Sequence, residues 1–297
     1  MRLSTVKSPT GQERVMAETI KGAWHDISHL FPSMLDLIRA GSLGLDRVYQ
    51  EAGSTRRVEG DLPKGVTAPI PHPIRDVYCV GWNYLKHFNE GVGKRGNQEG
   101  DLPDYPTFFS KATRSVIGPH DSVPYDREFT EKLDYEAEIA VIIGREGKNV
   151  QEEKARDYIF GLTLANDVSA RDVQRRHGGQ WLKGKAMDGS CPLGPAIVTL
   201  DDIPDFSKLN IRGVVNDEVR QEARLSQLIF SIPRLIAELS RGMTLLPGDI
   251  LLTGTPEGVG FAMTPPQFLR PGDHLVVQSD ALGRLENRVG PDIHEMR

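Results

Sequence analysis

Only two of the 297 residues are cysteines, Cys79 and Cys191. One pair provides neither a disulfide framework nor the CxxC spacing of a thiolate metal site, so both are read as buried, reduced thiols. No apolar run approaches the ~18 residues that span a bilayer. The first residues, Met1 to Lys7, lack the apolar centre of a signal peptide. A membrane is therefore not expected as a partner, and the cytoplasm is the expected compartment. There is no basic run either. With a net charge of −5, nothing draws the chain to a polyanion, and nucleic acid is not expected as a partner. Internal repeats and low-complexity tracts are also missing.

What is present describes an ordinary globular protein, at 38% hydrophobic and 26% charged residues, long enough to bury a sizeable core. The 30 glycines and 20 prolines imply many turns and a strand-rich fold. Residues 1 to about 70 read as a small leading unit, with a weak strand at Leu3–Val6, a turn at Pro9–Gln12 and a helix at Pro32–Arg39 that Gly41 should stop. The Pro-rich segment Pro63–Pro73 reads as an extended linker and sets a boundary between 1–72 and 73–297. Beyond it, short apolar runs predict strands at Val77–Val80, Ile139–Ile143, Phe160–Asp167, Ala196–Thr199, Leu209–Val215, Asp249–Gly254 and His274–Gln278, with a turn at Asn216–Asp217. Ile232–Ser240 is an amphipathic helix with Pro233 in its first turn. The sum is an α+β, mainly β, fold class.

The chemistry-bearing residues fall in dense segments between these runs. Glu136 and Glu138 open the strand that continues as Ile139–Ile143. Alternate strand residues share a face, so the two carboxylates stand side by side at the mouth of an apolar element, and like charges that close need a cation or a proton between them. Hard cations such as Mg²⁺ take oxygen ligands, and Asp167, at the polar end of another apolar run, is the natural third. Taken alone, the Glu-x-Glu pattern also describes a solvated strand face. His87 and Glu90, three residues apart, share a face of one helical turn, and a carboxylate so placed orients an imidazole for proton transfer. Alone they also describe a surface ion pair. The stretch Gly91–Gly100 could hinge a lid. Gln180–Pro195 mixes Gly, Pro, Cys and charges without periodicity and fits neither a simple helix nor a strand. Its Lys185 could neutralise a substrate carboxylate or a developing enolate. The glycines of Thr253–Gly260 let backbone N–H groups approach an anion, and no GK[ST] follows to make it a nucleotide loop.

In order and spacing, Gly81–His87, Asp134–Glu138, Asn166–Gln174, Gly184–Pro192 and Leu252–Gly260 together resemble the fumarylacetoacetate hydrolase family over about residues 74–290. The resemblance implies a mixed β-roll catalytic domain behind a small N-terminal α/β domain, in a homodimer that binds Mg²⁺, Mn²⁺ or Ca²⁺. It implies Glu136, Glu138 and Asp167 as metal ligands, His87 with Glu90 as the water-activating pair, and Lys185 as a holder of the reacting oxygens. Arg171, Gln174 and Thr255 would contact the substrate or shape its site. Longer eukaryotic members have a fourth carboxylate ligand where this chain has Val80, so three protein ligands are expected. The expected activity is cleavage of the C–C bond of an acylpyruvate-type 2,4-dioxo acid to pyruvate and a carboxylic acid, as in aromatic catabolism. Oxaloacetate decarboxylation and isomerisation or hydration of 2-oxo-dienoates on the same scaffold are the alternatives, and a non-catalytic binding protein is the remote one. Specificity is expected from residues 88–105, from the leading unit, and from the Phe261/Pro265/Pro266/Phe268 cluster, for which packing is the favoured role.

Overall fold

The computed structural model describes residues 1–51, 57–60, 63–96 and 100–295. Among them, twelve strands form one large sheet: β1 (Arg2–Lys7), β2 (Glu13–Ile20), β3 (Ala23–Asp26), β4 (Arg57–Glu59), β5 (Val66–Thr67), β6 (Val77–Gly81), β7 (Thr107–Lys111), β8 (Val116–Ile117), β11 (Ala137–Ile143), β12 (Ile159–Asn166), β14 (Cys191–Thr199) and β17 (Ile250–Leu252). Their order is β4-β3-β2-β1-β14-β12-β11-β17-β6-β7, with β5 on β1 and β8 on β14. A second sheet, in the order β16-β15-β18-β19-β9, is built from β9 (Ser122–Tyr125), β15 (Asn210–Val215), β16 (Glu218–Arg224), β18 (His274–Ser279) and β19 (Gly283–Asp292). The short pair β10 (Leu133–Asp134) and β13 (Ser169–Ala170) completes the strands. The helices are α1 (Met34–Glu51), α2 (Leu85–Glu90), α3 (Arg171–Arg176), α4 (Leu182–Lys185) and α5 (Ile232–Leu239). None of the described helices is long and apolar enough to cross a membrane.

The centre of the large sheet is the antiparallel pair β11–β12, in which every residue is buried. Burial on both faces explains why these strands read as continuous apolar runs rather than alternating ones. The leading residues join the same sheet, with β1 pairing β14 (Arg2 opposite Val198) and β5, inside the Pro-rich segment, pairing β1 (Thr5 opposite Thr67). Leu3, Leu37 and Ile38 share one apolar cluster with Ala140, Ile142 and Ile250. Asn216 and Asp217 make the expected turn between β15 and β16, both with positive φ, as a tight hairpin turn requires. Ser231 caps α5 by accepting the N–H of Arg234, with Pro233 in the first turn.

Gly41 ends the first helical stretch of α1 as expected: its φ of 58° and ψ of −139° are not helical, a conformation glycine adopts without a Cβ penalty, and a second helical stretch carrying buried Gly44 and Val48 follows across the kink to Glu51. One expectation needs correction. The aperiodic segment 180–195 contains regular structure after all, helix α4 and the first half of β14. All nine β14 residues are buried, so no alternation shows, and Pro192 and Pro195 mask the strand. Of the Gly91–Gly100 stretch, Asn97, Gln98 and Glu99 lie outside the described residues, as do those three positions of the 88–105 segment.

Candidate metal and catalytic site

The register of β11 and β12 places the acidic residues. Glu138 faces Ala165 and Ala137 faces Asn166, so Glu136 lies just before one strand and Asp167 just after the other. The Asp167 N–H donates to the Glu136 carbonyl at 2.9 Å, and the Glu136 N–H donates to Asn166 Oδ1 at 3.0 Å. Glu136, Glu138 and Asp167 are all buried, and one carboxylate oxygen from each lies within 4.8 Å of the others.

Three buried cations balance part of this charge. Lys185 Nζ lies 2.7 Å from both Glu136 Oε2 and Asp167 Oδ2. Lys111 Nζ donates to Asp167 Oδ1 at 2.8 Å and to the Val168 carbonyl at 3.1 Å, and also to the Lys185 carbonyl. Arg171 bridges Glu136 Oε1 at 2.7 Å and Asp134 Oδ2 at 2.8 Å. Burial opposes ionisation of Glu136, but Lys185, then Arg171 and His87, outweigh it and hold its carboxyl well below the usual carboxylate range. Glu138 is the opposite case. It forms no ion pair among the described residues and accepts one N–H, from Gly254 at 2.6 Å. Burial, then the charges of Asp167 and Glu136, push its carboxyl well above the usual range. An all-oxygen, buried triad short of positive charge at Glu138 is what a hard divalent cation fits.

The imidazole enters from α2. His87 Nδ1 lies 2.7 Å from Glu90 Oε1, and Glu90 Oε2 accepts the Gly258 N–H at 2.8 Å. A carboxylate only accepts, so Nδ1 carries the proton of that contact and Nε2 is left to exchange one. His87 lines the same cavity as Glu136, Glu138, Lys185, Arg171, Gln174 and Thr255. Gln174 Oε1 accepts from Arg171 at 3.3 Å. The Thr255 hydroxyl donates to the Ala137 carbonyl at 3.0 Å and accepts from Gln221 at 2.7 Å.

Aromatic rings close the cavity. Trp181 meets Trp82 edge-on at 4.9 Å and Phe109 at 5.2 Å. Only glycine serves at position 81, where a Cβ would come within 2.4 Å of the Trp181 ring. Trp82 holds φ 56°, a conformation that costs a bulky residue of order 1–3 kcal/mol and recurs at functional sites. Phe261, for which packing was the favoured role, is half-buried and lines the cavity, and its backbone N–H donates to Asp134. Several residues now seen to matter carried no assigned role in the sequence: Lys111, Asp134, Gln221, Trp181 and Arg175. Asp134 stood inside a quoted motif. Lys111 ends an apolar strand with nothing to say that its side chain turns inward.

Residues 76–290 match the family model described as fumarylacetoacetate (FAA) hydrolase C-terminal. An oxaloacetate tautomerase of Bacillus subtilis is 45% identical over 223 residues, 75% of this chain and 72% of that one. A mitochondrial oxaloacetate tautomerase of Xenopus laevis is 40% identical over 257 residues, 86% of this chain and 78% of its own. Among solved structures, a fumarylacetoacetate hydrolase from Exiguobacterium antarcticum superposes with TM-score 0.84 at 34% identity, covering 98% and 99% of the two chains. A maleylpyruvate hydrolase from Sphingobium sp. SYK-6, in complex with manganese(II) and pyruvate, superposes with TM-score 0.78 at 28% identity, covering 98% and 100%.

Proposed function

The chain belongs to the fumarylacetoacetate hydrolase family, and from that premise we propose that it is a divalent-metal-dependent enzyme of small 2-oxo acids, interconverting the keto and enol forms of an oxaloacetate-like substrate. The observation that carries this reading is the Glu90-held imidazole of His87 lining the same cavity as Glu136 and Glu138, two members of the acidic triad. The identity to oxaloacetate tautomerases supports the choice of reaction.

Glu136, Glu138 and Asp167 would hold the cation. When bound, it supplies Lewis acidity that stabilises negative charge developing on the 2-oxo group. The rest falls to the chain. Lys185 and Arg171, fixed by their carboxylates, set a positive field for the anionic substrate. His87 moves a proton through Nε2 to or from carbon 3, and Glu90 keeps the ring in one tautomer and orientation. The Trp82, Trp181 and Phe261 rings exclude water, which strengthens each of these charges.

Hydrolysis of the C–C bond of an acylpyruvate is the second reading. The likeness to a maleylpyruvate hydrolase holding manganese and pyruvate favours it, and there His87 would take its proton from water instead. The test is a panel of enol oxaloacetate, acetylpyruvate, fumarylpyruvate and maleylpyruvate, each with Mn²⁺ and with EDTA, products identified by chromatography. Metal-dependent ketonisation of oxaloacetate with all four carbons retained supports the tautomerase. Pyruvate released from a dioxo acid selects the hydrolase, and carbon dioxide with pyruvate from oxaloacetate selects a decarboxylase.

A further inference from the structure

Strand β16 alternates, with Gln221 and Ala223 facing inward and Glu222 and Arg224 exposed. Gln221 is thus an amide at a core-facing position, 1% exposed, and a buried amide is costly unless its donors and acceptor are matched. They are matched at one place. Oε1 accepts the Ala137 N–H at 2.9 Å, and Nε2 donates to the Thr255 hydroxyl at 2.7 Å and to the Pro256 carbonyl at 2.8 Å. A backbone N–H only donates and a carbonyl only accepts, so these partners fix which end of the amide is oxygen. The Thr255 hydroxyl closes the ring by donating to the Ala137 carbonyl at 3.0 Å. Strand β17 ends at Leu252, opposite Ala140, and beyond it these two side chains pair the backbone of Ala137. Gly213, opposite Gln221 on β15, leaves room for the amide: a Cβ there would lie 2.8 Å from Oε1 and 3.1 Å from the Ala137 Cβ.

Both ends of this ring lead to the site. Ala137 stands between Glu136 and Glu138. Thr255 follows Gly254, whose N–H goes to Glu138 at 2.6 Å, and the same loop gives the Gly258 N–H to Glu90 at 2.8 Å. Gln221 itself is not among the residues lining the cavity. We propose that Gln221 is a positioning residue: it sets the spacing between the start of β11 and the 253–260 loop, and through that spacing the places of Glu138 in the triad and of Glu90 behind His87. The inference rests on the reading of the triad as a cation site and adds a residue of the second sheet that controls it. Groups that hold metal ligands from behind orient them and tune their affinity.

The test compares three variants with the unmodified protein by Mn²⁺ calorimetry, urea unfolding and kcat on enol oxaloacetate. Gln221→Met keeps the length of the side chain and removes its hydrogen bonds. It should weaken Mn²⁺ binding about tenfold or more and lower kcat by a similar factor, the usual scale for a lost partner behind a metal ligand. Gly213→Ala leaves Gln221 in the chain and displaces its amide, so Mn²⁺ binding should weaken by about threefold or more, and this variant decides the matter if Gln221→Met does not fold. Asn287→Met is the control for stability alone. Asn287 is a buried amide on β19 whose nitrogen bonds the Gly118 and Asp121 carbonyls, each at 2.9 Å. Its loss should lower the urea midpoint while Mn²⁺ affinity stays within about twofold, as expected of an independent position. Mn²⁺ affinity unchanged in Gln221→Met and Gly213→Ala, or weakened equally in Asn287→Met, overturns the positioning role and leaves the cation site standing. No Mn²⁺ binding by the unmodified protein overturns the cation site, and the role of Gln221 with it. The Mn²⁺ comparison decides the role of Gln221 whichever reaction the site performs.

Discussion

Glu90 holds His87 from one side and the 253–260 loop from the other: Oε1 lies 2.7 Å from the imidazole Nδ1, and Oε2 accepts the Gly258 N–H at 2.8 Å. One side chain thereby fixes the proton-transfer group against the loop that also supplies the Gly254 N–H to Glu138. Glu90→Gln keeps the shape but leaves a single acceptor oxygen for two donors. The expected result is a fall in kcat of about ten- to a hundredfold, with KM and Mn²⁺ affinity nearly unchanged. Steady-state kinetics and metal titration check it, and an unaltered kcat removes Glu90 from the machinery.

Lys111 is fully buried and bonds Asp167 Oδ1, the Val168 carbonyl and the Lys185 carbonyl, so one ammonium fixes both a candidate metal ligand and the backbone of the lysine opposite it. Removing one partner of a buried ion pair strands the other. Lys111→Met should therefore destabilise the metal-free protein by ~3–5 kcal/mol. Saturating Mn²⁺ should recover part of that loss, because bound metal stabilises by mass action. Urea unfolding with and without Mn²⁺ measures both quantities. A loss below ~1 kcal/mol would show that Asp167 is held by other means.

Both thiols lie next to the acidic cluster and are inert in the folded chain. Burial pushes the Cys191 thiol up to about 12, and it pushes Cys79 well above the ordinary thiol range. At pH 8 the thiolate fraction of Cys191 is on the order of 1 in 10⁴. A disulfide reagent should label neither cysteine of the native protein at that pH and both in concentrated guanidinium. Fast labelling of the native protein would mean that the β6–β14 region opens far more readily than its packing allows.

The parts of this molecule legible in its sequence are those with a local signature. Glu136 and Glu138 stand at the start of an unbroken apolar run, Asp167 at the end of another, and antiparallel pairing of those two runs is enough to bring them together. His87 and Glu90 were readable from a three-residue helical spacing. The second layer of the site was not, because it is assembled from long-range contacts. Lys111 reaches Asp167 across 56 positions, and Gln221 comes from the other sheet to accept the Ala137 N–H. Neither residue type in its own strand signals an inward side chain. Strands β2 and β3 are not legible in the sequence for a related reason: β2 is defined by its pairing with β1 and β3 by its pairing with β2, and residues 13–26 alone show no clean alternation. Gly41 was legible as the break after the first helical stretch, but the second stretch that follows it to Glu51 was not.

The central claim is that the triad and His87 act on the enol of a small 2-oxo acid. Its most direct measurement is the decay of the enol absorbance of freshly dissolved oxaloacetate, followed with the protein plus Mn²⁺, the protein plus EDTA, and the Asp167→Asn and His87→Ala variants plus Mn²⁺. The account predicts protein-dependent acceleration with Mn²⁺ that EDTA and either substitution reduce by at least a hundredfold, on the scale of a lost general acid–base group. His87→Ala should retain Mn²⁺ binding and Asp167→Asn should lose it. A rate equal to that of Mn²⁺ alone in buffer, or an acceleration that survives His87→Ala, would contradict the account.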